Sequence, residues 1–144
     1  MSPVSDNPIA DRNAAQEKWG DALLAGFQVI PNILIQAHRE LHLDPLDVLI
    51  VLNLNMHWWE ARNLPYPKPS MIAERLGVAT RTVERRIKNL EKAGLIERLP
   101  AELIRRHSVK RFRLDGLVRR LAQLAQRAVA SRGRLRPEPF EDSG

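Results

Sequence analysis

The chain contains no cysteine, and aromatic residues make up only 5% of its 144 residues. The lack of cysteine excludes disulfide bonds, thiolate metal sites and cysteine nucleophiles, and it fits a reducing compartment. Because aromatic side chains are so few, the core must consist mainly of aliphatic side chains. Hydrophobic residues account for 44% of the chain, which is enough for a packed core. We therefore expect one domain of ordinary size.

Long apolar runs are also missing from the sequence. No segment approaches the roughly 20 apolar residues that a membrane-spanning helix needs, and no secretory signal is visible at the N-terminus. The sequence therefore predicts no membrane partner and a cytoplasmic, nucleoid-associated location.

Patterns typical of catalytic sites are absent as well. The sequence shows no nucleophile elbow, phosphate-binding loop or paired carboxylates. His38 and His42 lie four residues apart, but HRELH differs from the HExxH order of zinc proteases, and no third ligand is evident nearby. We expect neither an enzyme nor a bound metal or cofactor.

Basic residues outnumber acidic residues, and the excess of positive charge is concentrated in one stretch of the chain. The chain carries 23 Lys and Arg against 17 Asp and Glu, a net charge of +6. Between Lys68 and Arg113, thirteen cations stand against five acids, so the balance of +8 in this stretch exceeds that of the whole chain. Such a concentration favours a polyanionic partner, with nucleic acid ahead of an anionic membrane surface.

The N-terminal half is predicted to contain two helices after a polar segment. Asp44 suits the N-cap of the second helix, and Pro45 suits its first position. From the N-terminus we expect a flexible arm (residues 1–18), a short strand (26–30), a helix that begins at Pro31 (31–41), a largely buried helix (44–62) and a proline-rich connection (63–69).

The most informative segment is PSMIAERLGVATRTVERRIKNLEKAGLI, residues 69–96. It predicts a short helix that ends at Gly77, a longer basic helix over residues 80–92, and a strand that begins after Gly94. This is the layout of a helix-turn-helix followed by a β-hairpin wing. Ala79 stands where a capping side chain is expected, so Thr80 is predicted to cap the second helix one residue later.

The basic helix has two chemically different sides. Val83, Ile87 and Leu90 fall on one side, which is predicted to be buried. Long cationic side chains on the other side suit the major groove of duplex DNA, because arginine can bond a guanine edge through two N–H groups. A solvated charged face is the alternative. The predicted DNA-binding residues of this region are Lys68, Arg75, Thr80, Arg81, Thr82, Arg85, Arg86, Lys88, Asn89 and Lys92, of which Arg86 lies nearest the core and is assigned to a phosphate.

Two alternating segments, residues 95–99 and 109–114, predict a two-stranded hairpin. The cations in and beside its loop would contact DNA, with the minor groove as one route; they are Arg105, Arg106, Lys110 and Arg111. A last helix over residues 117–131 places Leu117, Leu121, Leu124 and Ala128 on one stripe. That stripe either packs on the domain or pairs with a second copy of the chain, and a dimer would read two half-sites.

Residues 72–96, with 26–35 and 43–59 upstream, resemble the winged helix-turn-helix superfamily. They look most like bacterial helix-turn-helix proteins of mobile-element replication and regulation, over residues 20–115. Family members usually have Ser where Ala79 stands and often where Lys68 stands. The resemblance implies a mainly helical fold with a hairpin wing, divided into a flexible arm (1–18), a DNA-binding domain (19–115), a C-terminal helix for packing or dimerisation (116–132) and a flexible tail (133–144).

Three functions remain open from the sequence. The first is sequence-specific binding of double-stranded DNA by a transcriptional regulator, often as a homodimer. The second is an origin-binding or accessory role in plasmid or phage DNA replication. The third is a protein-interaction module that uses the winged helix as a scaffold, with Trp58 and Trp59 or the last helix as its surface.

Overall fold

The computed structural model describes residues 8–59, 68–99, 102–104, 107–109 and 112–134. These residues form a mainly helical fold with a small antiparallel hairpin, as the sequence predicts. In chain order the elements are α1 (Pro8–Trp19), a 3-10 helix (Gly20–Ala25), α2 (Asn32–Gln36), a second 3-10 helix (His38–Leu41), α3 (Pro45–Trp59), α4 (Pro69–Leu76), α5 (Thr80–Lys92), four short strands, and α6 (Asp115–Arg134). None of the helices described is long and apolar enough to cross a bilayer.

Helix α3 begins with a reciprocal pair of caps. The backbone N–H of Asp47 donates to Asp44 Oδ1 at 2.9 Å, and the backbone N–H of Asp44 donates to Asp47 Oδ2 at 3.0 Å. Two backbone donors that the first helical turn leaves unpaired are thereby satisfied. Asp44 is thus the predicted cap, and its partner Asp47 completes it. The predicted end of this helix at residue 62 lies outside the described residues.

Helices α4 and α5 are joined by a tight turn at Gly77. Gly77 has φ +68°, which is the left-handed conformation that favours glycine. The N–H of Gly77 donates to Glu74 O at 3.3 Å and that of Val78 to Ala73 O at 3.1 Å, and these bonds end α4. Helix α5 then covers residues 80–92 as predicted. Thr80 does not cap it, because Ala79 occupies the N-cap position and no side-chain bond is made there.

The hairpin that follows is built from two paired segments. β1 (Glu97–Arg98) pairs with β4 (Phe112–Arg113), and β2 (Glu102–Ile104) pairs with β3 (His107–Val109), both antiparallel. Glu97 lies opposite Arg113, whereas Glu102 lies opposite Val109, so the register changes by one residue between the two segments. The sequence predicted one hairpin with a long loop over residues 100–108, and the inner pair β2–β3 occupies part of that stretch.

The core is aliphatic, as expected from the shortage of aromatic residues. Helices α2 to α6 and the ends of the hairpin all contribute to it, and α5 supplies Val83, Ile87 and Leu90. The leucine stripe of α6 is also buried, so it packs on the domain and is not available to pair with a second copy. The buried apolar residues are Leu34, Ala37, Leu41, Leu43, Ile50, Val51, Leu54, Ile72, Ala73, Val83, Ile87, Leu90, Leu95, Ile96, Leu114, Leu117, Leu121 and Leu124.

The N-terminal part departs most from the predictions. Residues 8–18, assigned to a flexible arm, are helical in α1. Residues 26–30, predicted as a strand, pair with no other strand in the described part of the chain. The segment contacts α3 instead: buried Asn55 donates from Nδ2 to Gln28 Oε1 at 2.7 Å and to Val29 O at 3.4 Å. The segment is therefore attached to α3 by one amide side chain.

The predicted helix over residues 31–41 is broken into two short pieces. α2 ends at Gln36, and the second 3-10 helix begins at His38. His42 then adopts the left-handed conformation, with φ +58°, which turns the chain toward α3. The predicted buried face survives this break, because Leu34, Ala37 and Leu41 are all in the core.

Candidate nucleic-acid interface

Helix α5 is fixed in the domain by its apolar side. Val83 is 0% exposed, Ile87 1% and Leu90 2%. Burial of three such side chains contributes roughly 1.5–3 kcal/mol each. This face cannot leave the core without a large loss of stability, so the opposite face is held outward in one orientation.

That opposite face is a cationic surface. Arg81, Arg85, Lys88 and Lys92 are all exposed. The ion pairs found among the described residues involve Arg86 and Arg98, and none involves these four side chains. Glu84 and Glu91, the acids of the same helix, therefore form no ion pair with these four cations in this part of the chain. We call these four residues the α5 basic face.

Polar neighbours of the α5 basic face are accessible too. Thr80 and Asn89 are exposed, and Thr82 is half-buried. Lys68, just before α4, is exposed. A hydroxyl or amide beside a cationic face can bond a phosphate oxygen or a base edge, and the roles assigned to these residues stay predictions.

Arg86 has a different partner from the one predicted. Its Nη1 donates to Asp44 Oδ2 and lies 3.3 Å from Asp47 Oδ1. Its guanidinium thus bonds both carboxylates of the α3 cap and ties α5 to the start of α3. Its position near the core places Arg86 beside these two acids, and its predicted phosphate contact stays a prediction.

The ion pair changes the acidity of both partners. The Asp47 backbone N–H, followed by the Arg86 guanidinium, holds the pKa of the Asp44 carboxyl below its usual range. The Asp44 carboxylate in turn raises the pKa of Arg86. Both groups therefore remain charged at neutral pH, and the tie between α3 and α5 persists there.

Arg75 is positioned by a buried amide. Its Nη1 donates to Asn53 Oδ1 at 3.1 Å, while Asn53 Nδ2 donates to Leu49 O at 2.8 Å. Asn53 is 8% exposed, whereas Arg75 is exposed. Since a guanidinium has five N–H donors, Arg75 keeps donors for a phosphate while the bond to Asn53 fixes its direction.

The start of the hairpin is joined to the end of α5. Arg98 Nη2 lies 3.0 Å from Glu91 Oε1, and the guanidinium lies 5.5 Å from the centre of the Phe112 ring. The contact with Glu91 is electrostatic, since that oxygen has no hydrogen-bond partner of good geometry in the described part. The predicted wing contacts Arg105, Arg106, Lys110 and Arg111 lie outside the described residues.

Several of these positioning residues were missed by the sequence analysis. Asn53 and Asn55 lie within an apolar helix, and Asp47 lies in the first turn of that helix. A buried Asn in an apolar run is the signal that should have revealed them, because a buried amide requires partners. Which partners they find depends on packing between helices that are distant in sequence.

Together these elements define a class of protein: a mainly helical domain in which a short helix, a glycine turn and a basic helix precede a small hairpin. The family model of the DnaD N-terminal domain matches residues 30–132, which is more than half of the chain. The chain therefore belongs to the DnaD N-terminal domain family.

A solved structure of this family agrees with the assignment at the level of the fold. The crystal structure of the N-terminal domain of DnaD protein from Geobacillus kaustophilus HTA426 is 21% identical, with a TM-score of 0.59 over 83% of this chain and 97% of that chain. RV1404 from Mycobacterium tuberculosis is 20% identical, with a TM-score of 0.41 over 97% of this chain and 88% of that one. No curated protein matches this sequence.

Proposed function

We propose that this protein binds double-stranded DNA in the course of DNA replication, with the α5 basic face as its recognition surface. Membership of the DnaD N-terminal domain family favours the replication alternative over transcriptional regulation. The proposal assigns the chain no catalytic activity and no cofactor. Its setting would be the bacterial cytoplasm, on the nucleoid.

We further propose that α4, the Gly77 turn, α5 and the hairpin act together as a winged helix-turn-helix. In such a unit the second helix enters the major groove, and the hairpin contacts the adjacent backbone. The observation that carries this proposal is the set of four exposed cations on α5 without an ion-pair partner in the described residues. A purely structural helix would gain from pairing them, whereas a DNA-binding helix must keep their donors available.

Arg85→Ala tests this surface, with Arg39→Ala as its matched control, because Arg39 is an exposed arginine on the second 3-10 helix. A preferred duplex would first be selected from a random library, and its affinity then measured for each variant. We expect Arg85→Ala to weaken specific binding by about 1–3 kcal/mol, and Arg39→Ala to leave it unchanged. Equal affinities for the two variants would show that the α5 basic face is not the DNA-binding surface.

The replication role requires a separate measurement, because a transcriptional regulator would bind promoter DNA through the same surface. Mapping the crosslinked protein along the DNA of its host should show enrichment at a replication origin. Enrichment at promoters instead would show that the protein acts in transcriptional regulation. If selection enriches no sequence and binding to DNA is weak, the protein-interaction module becomes the better account.

A further inference from the structure

Helix α6 carries a second cationic surface that lies outside the helix-turn-helix unit and its hairpin. Arg119, Arg120 and Arg127 are exposed on it, and Asp115 in its first turn is its only acidic residue. No ion pair within the described residues involves any of these arginines. We call these three residues the α6 arginine face.

Two of the three arginines are aligned along one flank of the helix. Arg120 and Arg127 are seven residues apart, so they point within about 20° of each other and lie about 10 Å apart along the axis. Arg119 points about 100° away from Arg120 around the helix axis. Ten ångströms is the axial length of about three phosphates on one DNA strand, so the two aligned arginines match the spacing of a phosphate backbone.

The start of α6 contacts the backbone that follows α5. The backbone N–H of Leu117 donates to Leu95 O at 2.9 Å, just after α5 ends. A Cβ atom at Gly116 would lie 1.9 Å from Gly94 O, so the two backbones touch at a point where only glycine fits. Burial of Leu117, Leu121 and Leu124 prevents α6 from rotating about its axis.

This junction places the start of α6 beside the segment that follows α5. Lys92 precedes Gly94 by two residues, and Arg119 follows Gly116 by three. Each cation therefore lies within about one helical turn, ~5 Å along its helix axis, of the same backbone contact. Lys92 and Arg119 are thus the cations of the two faces that lie nearest this junction in the chain.

We propose that the α6 arginine face binds the phosphate backbone of duplex DNA and extends the contact beyond α5 and the hairpin. This inference rests on the proposed function, since it requires the protein to bind a duplex. Its evidence is independent, because none of the three arginines belongs to the predicted recognition unit. Charge complementarity identifies the partner: guanidinium groups at this spacing bond phosphate oxygens, and the contacts carry no base specificity.

The test compares two double variants that each remove two exposed arginines. Arg120→Gln/Arg127→Gln removes the aligned pair. The control, Arg39→Gln/Arg132→Gln, removes one arginine from the second 3-10 helix and one from another side of α6. Arg132 points about 120–140° away from the aligned pair around the helix axis. Affinity for a fluorescent duplex of about 30 base pairs would be measured at several salt concentrations, after thermal melts show that both variants are folded. A duplex of random sequence is sufficient for this test, because phosphate contacts do not depend on DNA sequence.

We expect Arg120→Gln/Arg127→Gln to bind more weakly and to lower the slope of log affinity against log salt by about 1.8, or about 0.9 for each lost contact. The control should keep the wild-type slope. Equal slopes for the two double variants would overturn the inference, and that is also the result expected if the arginines bind an acidic protein. In that event, a loss of specific affinity in Arg85→Ala would leave the proposed function standing. A wild-type chain that binds no duplex would overturn both.

Discussion

The cations of α5 fall into two groups at the scale of single residues. Arg86 is bonded to Asp44 and Asp47, whereas Arg81, Arg85, Lys88 and Lys92 are exposed with no carboxylate partner in the described residues. The first group maintains the position of the helix, and the second is available to a ligand. The two groups should therefore respond differently to substitution.

Arg86→Ala should destabilise the fold by about 1–3 kcal/mol, because it leaves the carboxylate of Asp47, a residue only 8% exposed, without its counter-charge. The free energy of unfolding would be measured by urea denaturation. Arg85→Ala serves as the control, and its stability should stay within about 0.5 kcal/mol of wild type because the side chain is exposed. Equal stabilities for the two variants would contradict the structural role of Arg86.

The same ion pair predicts a loss of stability in acid. Since the pKa of Asp44 is lowered in the folded state, its contribution is complete above the ordinary value of 3.8 and disappears as the pH falls through the folded-state pKa. Melting temperatures from pH 7 down to pH 2 should fall less steeply for Asp44→Asn than for wild type below about pH 4. Parallel curves for the two proteins would show that the Asp44 carboxylate is not stabilised by its bonds to the Asp47 backbone N–H and to Arg86.

At the scale of the element, helices with strong amphipathic periodicity were predictable. The bounds of α5 follow from the spacing of Val83, Ile87 and Leu90 and from Gly77 before it. The outward direction of its basic face follows from the same spacing. These features depend on neighbouring residues, which the sequence shows directly.

Elements fixed by distant contacts were not predictable. Residues 26–30 alternate like a strand, but Asn55, on a helix that begins at Pro45, bonds Gln28 and leaves the segment unpaired. The role of Arg86 likewise depends on acids about 40 residues earlier, at 44 and 47. The helical state of residues 8–18 could not be read from their weak periodicity. Partners of this kind are set by tertiary packing, which overrides local pattern.

The N-terminus of α5 lacks a side-chain cap, and this leads to a prediction for the stability of that helix. Ala79 has the extended conformation of an N-cap residue, with φ −69° and ψ 144°, but no side-chain acceptor. Ala79→Ser would supply one and should raise the free energy of unfolding by about 0.5–2 kcal/mol. Ala93→Ser, at the other end of the helix, is the control and should give no gain. If the Ala79→Ser variant proves no more stable than wild type, the first turn is already satisfied.

At the scale of the whole molecule, the N-terminal part exposes an unusual amount of apolar surface. Trp19 is 68% exposed and Leu24 is 85% exposed, and Val29 and Ile35 are also exposed. No side chain described in residues 13–30 is buried. Exposed apolar groups concentrated in one part of a chain are typical of an interaction surface.

The homodimer expected from the sequence stays a prediction, and this surface is the one that it would use, since the leucines of α6 are buried in the core. Light scattering should give the mass of a dimer or larger assembly for wild type, and a lower mass for Trp19→Ala/Leu24→Gln. Val129→Gln, which removes an exposed apolar side chain near the end of α6, is the control and should leave the mass unchanged. A monomeric wild-type chain would refute this assignment.

The central claim is that duplex DNA contacts the outward face of α5, and backbone amide NMR during titration with a duplex tests it most directly. We predict that the largest shift changes cluster at residues 80–92, with Arg81, Arg85 and Lys88 among them, and that they diminish as salt is raised. Largest changes in α1 and the first 3-10 helix, with the α5 signals unmoved, would contradict the account.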